Sequence, residues 1–109
     1  MSVLLTTTDS VEGRTITRYL GIVSGESVMG TNLFRDFFAS IRDVIGGRSG
    51  GYENALREAK DTALAEMAEQ ARAMGATAVV GIDLDYQVIG GDSKTMLLVA
   101  VNGTAVVLA

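Results

Sequence analysis

The stretch Met74-Gly75-Ala76-Thr77-Ala78-Val79-Val80-Gly81-Ile82-Asp83-Leu84-Asp85-Tyr86 decides the fold, because it joins a helix end, a tight turn, a buried strand and two carboxylates on one strand. Gly75 stands where the apolar periodicity of the preceding segment stops, as a left-handed helix cap does, and alternation begins directly after it. From Val80 the apolar residues Val80, Ile82, Leu84, Tyr86 and Val88 recur at every second position. That period places them on one face of a strand and Gly81, Asp83, Asp85 and Gln87 on the other.

Upstream of this stretch, Tyr52 to Met74 reads as a long helix. Leu56, Ala59, Ala63, Met67, Ala71 and Met74 recur at steps of three or four, and the ridge they form is mostly alanine, so a neighbouring element can approach closely. A glycine-rich loop, Gly46 to Gly51, precedes it. Before that loop, Phe34, Phe37, Phe38, Ile41 and Ile45 fall on one stripe of a second helix, with Thr31 or Asn32 as its N-cap. Further upstream, Val3 to Thr7 reads as a short strand, Asp9 to Gly13 as a turn and Thr15 to Val28 as a longer strand. The glycines Gly21 and Gly25 inside that strand predict a bulge or bend. Downstream, Gly90 to Ser93 makes a hairpin turn and Thr95 to Val101 forms the returning strand. Met96 to Val101 are apolar at every position, so that strand should be covered on both sides. Asn102-Gly103 reads as a bend in one long strand rather than a second hairpin, because Thr77 to Ile89 is long enough to pair with all of it. The expected fold is α+β: one domain over residues 1–109, in the order β-β-α-α-β-β, with a mainly antiparallel sheet and two helices packed on one side.

Composition narrows the chemistry. The 109 residues are 48% hydrophobic and 20% charged, apolar for so small a domain, which predicts that some surface meets another subunit. A formal charge of -4 and a pI near 4.6 argue against nucleic-acid phosphate and anionic lipid as partners. With no Cys and no His there is no disulfide, thiol nucleophile, imidazole base or nitrogen ligand, so serine-triad and zinc-hydrolase chemistry is excluded within one chain. The start reaches Asp9 before any long apolar run and lacks a basic segment, so no signal peptide is expected, and no apolar stretch approaches the roughly 20 residues that span a bilayer. A cytoplasmic protein is the expectation.

Two constellations carry what chemistry remains. Asp83 and Asp85 share a strand face at a spacing of roughly 7 Å, close enough to bracket a hard divalent cation. The alternative is a solvated face, or a rim lining a channel in a ring. The Gly46 to Gly51 loop leads into a helix start, where backbone N–H groups and Arg48 could hold a small ligand together with Ser49, Tyr52 and Glu53. It lacks the Lys-Ser/Thr pair of a nucleotide loop and the leading strand of a dinucleotide fingerprint. The plain alternative is a chain reversal between helices.

Leu5-Thr6-Thr7-Thr8, Gly21-Ile22-Val23-Ser24-Gly25-Glu26, Gly47-Arg48-Ser49-Gly50-Gly51-Tyr52-Glu53, Ala71 to Tyr86 and Gly103-Thr104-Ala105-Val106-Val107 together make the chain resemble, over nearly its whole length, the small bacterial and archaeal YbjQ-like family, which carries a heavy-metal-binding description. The resemblance implies a subunit that assembles into a ring, typically a pentamer. It also implies a metal ligand, for which a chain without Cys or His offers carboxylates, carbonyls and Met sulfur. The sequence reading is therefore a non-enzymatic homo-oligomer that binds a metal ion through Asp83 and Asp85, or a small ligand near Arg48 to Glu53, at subunit boundaries. The alternative reading is a structural or regulatory ring with no ligand, and an enzyme working across an interface ranks last.

Overall fold

The computed structural model describes residues 2–29, 50–90 and 95–109, apart from the side chains of 50–52, 89, 90 and 95. Within them the elements run β1 (Leu4–Leu5), β2 (Ile16–Met29), α1 (Gly50–Ala73), β3 (Ala78–Gly90) and β4 (Thr95–Leu108). The strands form one mixed sheet in the order β1-β3-β4-β2, antiparallel except where β1 joins β3 in parallel. Among the described residues there is one helix. The expected helix carrying Phe34 to Ile45 lies outside them, as does most of the hairpin turn after Gly90.

The end of α1 follows from Gly75. The Gly75 N–H donates to the Arg72 carbonyl and the Ala76 N–H to the Ala71 carbonyl, both at 3.0 Å, with Gly75 at φ +89°. These are the paired bonds of a Schellman cap, which satisfy carbonyls that the helix leaves without partners. Among the described residues the helix runs from Gly50, two residues before the start that the apolar pattern indicates.

Packing rests on the alanine ridge. Ala59, Ala63, Met67 and Ala71 are buried against Val23, Leu97, Val99, Val101 and Ala105 of the sheet, Ala55 is buried on the same ridge, and Met67 is the bulkiest fully enclosed side chain among the described residues. Leu56 is half-buried and Met74 exposed, so the ridge turns slightly from the line read in the sequence, towards Ala55. Where α1 crosses β2 the two backbones nearly touch: a Cβ on Gly25 would fall inside the Ala63 carbonyl oxygen and 2.9 Å from the Met67 nitrogen. Gly25 is thus a point of close approach. The irregularity expected in β2 lies further upstream, with register shifts between Ile16 and Arg18 and between Tyr19 and Gly21.

One expectation about β3 is overturned. Its register against β4 shifts between Val80 and Asp83, with Gly81 at φ +62°, so a bulge interrupts the alternation. Val79 and Ile82 therefore share the face under α1, while Val80 joins Ala78, Val106 and Leu108 on the other face, beneath Val11 and Ile16. Val80 and Ile82 are two apart in sequence and on opposite faces. Strict period-two reading fails because the bulge adds one residue. The threonines near the start hold that bulge: the Gly81 N–H donates to the Thr8 carbonyl at 2.8 Å and the Ile82 N–H to the Thr6 carbonyl at 3.2 Å. From Ile82 onward the alternation is as read, and β4 runs through Asn102-Gly103 as one strand.

Replacing Gly25 by alanine should push α1 off the sheet and destabilise the protein by about 1–3 kcal/mol, an overpacking cost. The exposed neighbour change Ser24→Ala should stay within about 0.5 kcal/mol. Chemical denaturation of the two variants measures the difference.

Candidate functional site

The helix covers one face of the sheet and part of one edge. At 24 residues it is about 36 Å long, whereas the 14-residue strands run about 45 Å, so it cannot shield their whole length. It packs mainly over β2 and β4, and its side chains also reach the outer edge of β2. The Ser24 N–H donates to Gln70 Oε1 at 2.8 Å and the Glu26 N–H to Glu66 Oε1 at 3.3 Å. These bonds occupy donors that an edge strand would otherwise offer to another chain.

Among the described residues, Val11 and Ile16 pack on the opposite, outer face at one end. The rest presents Tyr19, Ile22 and Val28 from β2, and Met96 from β4, at 72%, 82%, 54% and 37% exposure. Of the expected cover on both sides of β4, the helix side is seen at Leu97, Val99 and Val101 beneath α1, while Met96 is exposed on the outer face, the side for which a partner subunit was the expected cover.

Asp83 and Asp85 lie on this outer face, as the alternation indicates, and both are exposed. Register places Asn102 beside Asp83 with Ser24 beyond it, and Ala100 beside Asp85 with Glu26 beyond it. The outer face thus carries an acidic and amide-bearing patch over three strands. Sequence reading missed Asn102 and Glu26, because co-facial placement across strands depends on register. A hydrogen bond to Asp83, reinforced by repulsion from its charge, raises the Asp85 carboxyl above the ordinary aspartate value of 3.8. Two carboxylates held this close attract a cation. Among the described residues no group of three or more acidic side chains is placed to hold a metal ion, so the pair is an incomplete ligand set. Calcium-type shells need about six to eight oxygens.

The other constellation is only partly on view. Arg48 and Ser49 lie outside the described residues, as does the Tyr52 side chain, so the structure does not bring the four together. Glu53 is exposed in the first turn of α1, where a carboxylate suits the helix dipole. It borders a cleft of about 440 Å³ between α1 and the sheet, with Leu56, Arg57, Lys60, Tyr86, Val88 and Leu97. Tyr86 and Val88 are exposed there because α1 packs mainly over β2 and β4.

The Asp85 shift sets a pH dependence. A carboxyl whose folded-state pKa lies above its unfolded value binds its proton more tightly in the folded protein, so the stability it contributes is present at low pH and lost as pH rises through the shifted value. In chelator-treated protein, the Tm of Asp85→Asn relative to wild type should therefore increase between about pH 4 and pH 7. A difference constant across that range would contradict the coupling.

Two comparisons bear on this geometry. The chain matches, over residues 3–109, the family model YbjQ_1, described as "Putative heavy-metal-binding". It is also similar to the crystal structure of a protein of unknown function from Pediococcus pentosaceus, assigned to the DUF74 family. The two are 17% identical, with a TM-score of 0.68 and 98% of each chain covered, a likeness of fold. The match over almost the whole chain makes this protein a member of the YbjQ family.

Proposed function

We propose that this protein is a non-enzymatic homo-oligomer that binds a hard divalent cation at its subunit boundaries through Asp83 and Asp85, as a cytoplasmic ring of five copies. The observation that carries the reading is the carboxylate pair: two exposed acids held together on the outer face, with too few donors around them among the described residues to complete a cation shell. A neighbouring subunit supplies the missing oxygens in this reading, and Asn102 is the additional oxygen donor nearest in register. The family description agrees with a cation ligand. The donor chemistry decides its kind: without thiolate or imidazole the site suits magnesium, manganese or calcium and does not suit a soft heavy metal.

A second reading, a structural ring with no ligand, draws on the apolar outer face, which is reason enough for assembly. Native mass spectrometry of the protein as purified, followed by Mn²⁺ titration, separates the two. The expected result is an oligomer taking up Mn²⁺ in fixed ratio to subunits, with uptake abolished by Asp83→Asn combined with Asp85→Asn. An oligomer indifferent to Mn²⁺, Mg²⁺ and Ca²⁺ would leave the structural ring, and a monomer at micromolar concentration would end both readings.

A further inference from the structure

Two exposed surfaces lie at opposite ends of the strand order and differ in charge. At the β2 edge, the outer face presents Ile22 and Val28 with Glu26 between them in sequence, all exposed. On the β3 side, where only the short β1 lies beyond, the cleft beneath α1 offers an apolar floor of Leu56, Tyr86, Val88 and Leu97. Among the described lining residues, Arg57 and Lys60 stand on its rim with one acid, Glu53. One surface is apolar with a negative charge, and the other is apolar with an excess positive charge.

We infer that copies of this chain join head to tail, the β2 surface of one copy carrying Ile22, Glu26 and Val28 seated on the Arg57/Lys60-rimmed cleft of the next. This rests on the homo-oligomer reading above and supplies its interface. Charge decides against the alternative of like surface on like. Two outer faces laid together would oppose Glu26, Asp83 and Asp85 with the same acids, and the described strand residues of that face between Tyr19 and Val28 and between Asp83 and Gln87 include no basic side chain, whereas Glu26 against Arg57 and Lys60 is complementary. The side-chain acceptors from Gln70 and Glu66 have the same consequence, because they occupy β2 edge donors that strand-to-strand pairing would need and leave β2 to associate through its side chains. A contact between two different surfaces is heterologous, and repeated by a rotation that closes it generates a ring.

Light scattering and sedimentation of charge-reversed chains test this, with circular dichroism to confirm that each variant is folded. Glu26→Arg alone, and Arg57→Glu with Lys60→Glu, should each raise the subunit dissociation constant at least about tenfold. The chain carrying all three reversals should reassemble, because every contact in a head-to-tail oligomer is then swapped and again complementary. Ile22→Asp, at a side chain that the monomer leaves exposed, should fold and fail to assemble. Wild-type oligomer with undiminished assembly of the single reversals, or dissociation that the triple reversal does not repair, would overturn this interface and leave the homo-oligomer reading standing. A wild-type monomer would instead remove that reading itself.

Discussion

How closely the backbone of α1 approaches β2 at Gly25 controls the rest of the structure. A glycine on the strand faces a ridge of alanines on the helix, and nothing larger than hydrogen fits between Gly25 and the Ala63 carbonyl. Because the approach is so close, the longer side chains flanking the ridge overhang the strand, and Gln70 and Glu66 can reach the β2 backbone. The same contact fixes the helix over β2 and β4. Tyr86 and Val88 of β3 consequently line an open cleft, and among the described residues Val11 and Ile16 pack on the outer face at one end. One packing event therefore sets which surfaces are closed and which remain for a partner.

Those open surfaces give the carboxylate pair its meaning. Asp83 raises the cost of charging Asp85 on a face where water screens them, a tolerable arrangement for a lone chain. Placed at a boundary with another subunit, the same pair loses water and gains donors, which favours a counter-ion that is itself a divalent cation. In the proposed function assembly and cation binding would draw on this one surface, and the absence of Cys and His would confine any bound cation to the oxygen-preferring class.

Much of this was legible in the sequence, and the exceptions have physical causes. The cap at Gly75, the alanine ridge, the single long β4 through Asn102-Gly103 and the co-facial Asp83 and Asp85 all follow from local rules of period and glycine geometry. The face of Val80 was not legible, since Gly81 could be an ordinary polar-face residue or a bulge, and only pairing with β4 and with the Thr6 to Thr8 segment distinguishes them. Gly25 was legible as a special position but not as a helix contact, because its partner Ala63 lies far along the chain. Glu26 and Asn102 escaped notice for the same reason: their place beside the aspartates is a property of register. The expected stripe of Phe34 to Ile45, and Arg48 with Ser49, lie outside the described residues.

The central claim is that α1 lies close enough to β2 to close its edge with side-chain acceptors. Amide hydrogen exchange read residue by residue by NMR tests it most directly. The account predicts that the Ser24 and Glu26 amides, which point away from β4, exchange as slowly as amides in the interior of β4. Fast exchange at both positions while β4 stays protected would show that the helix does not seal this edge, and would contradict the account.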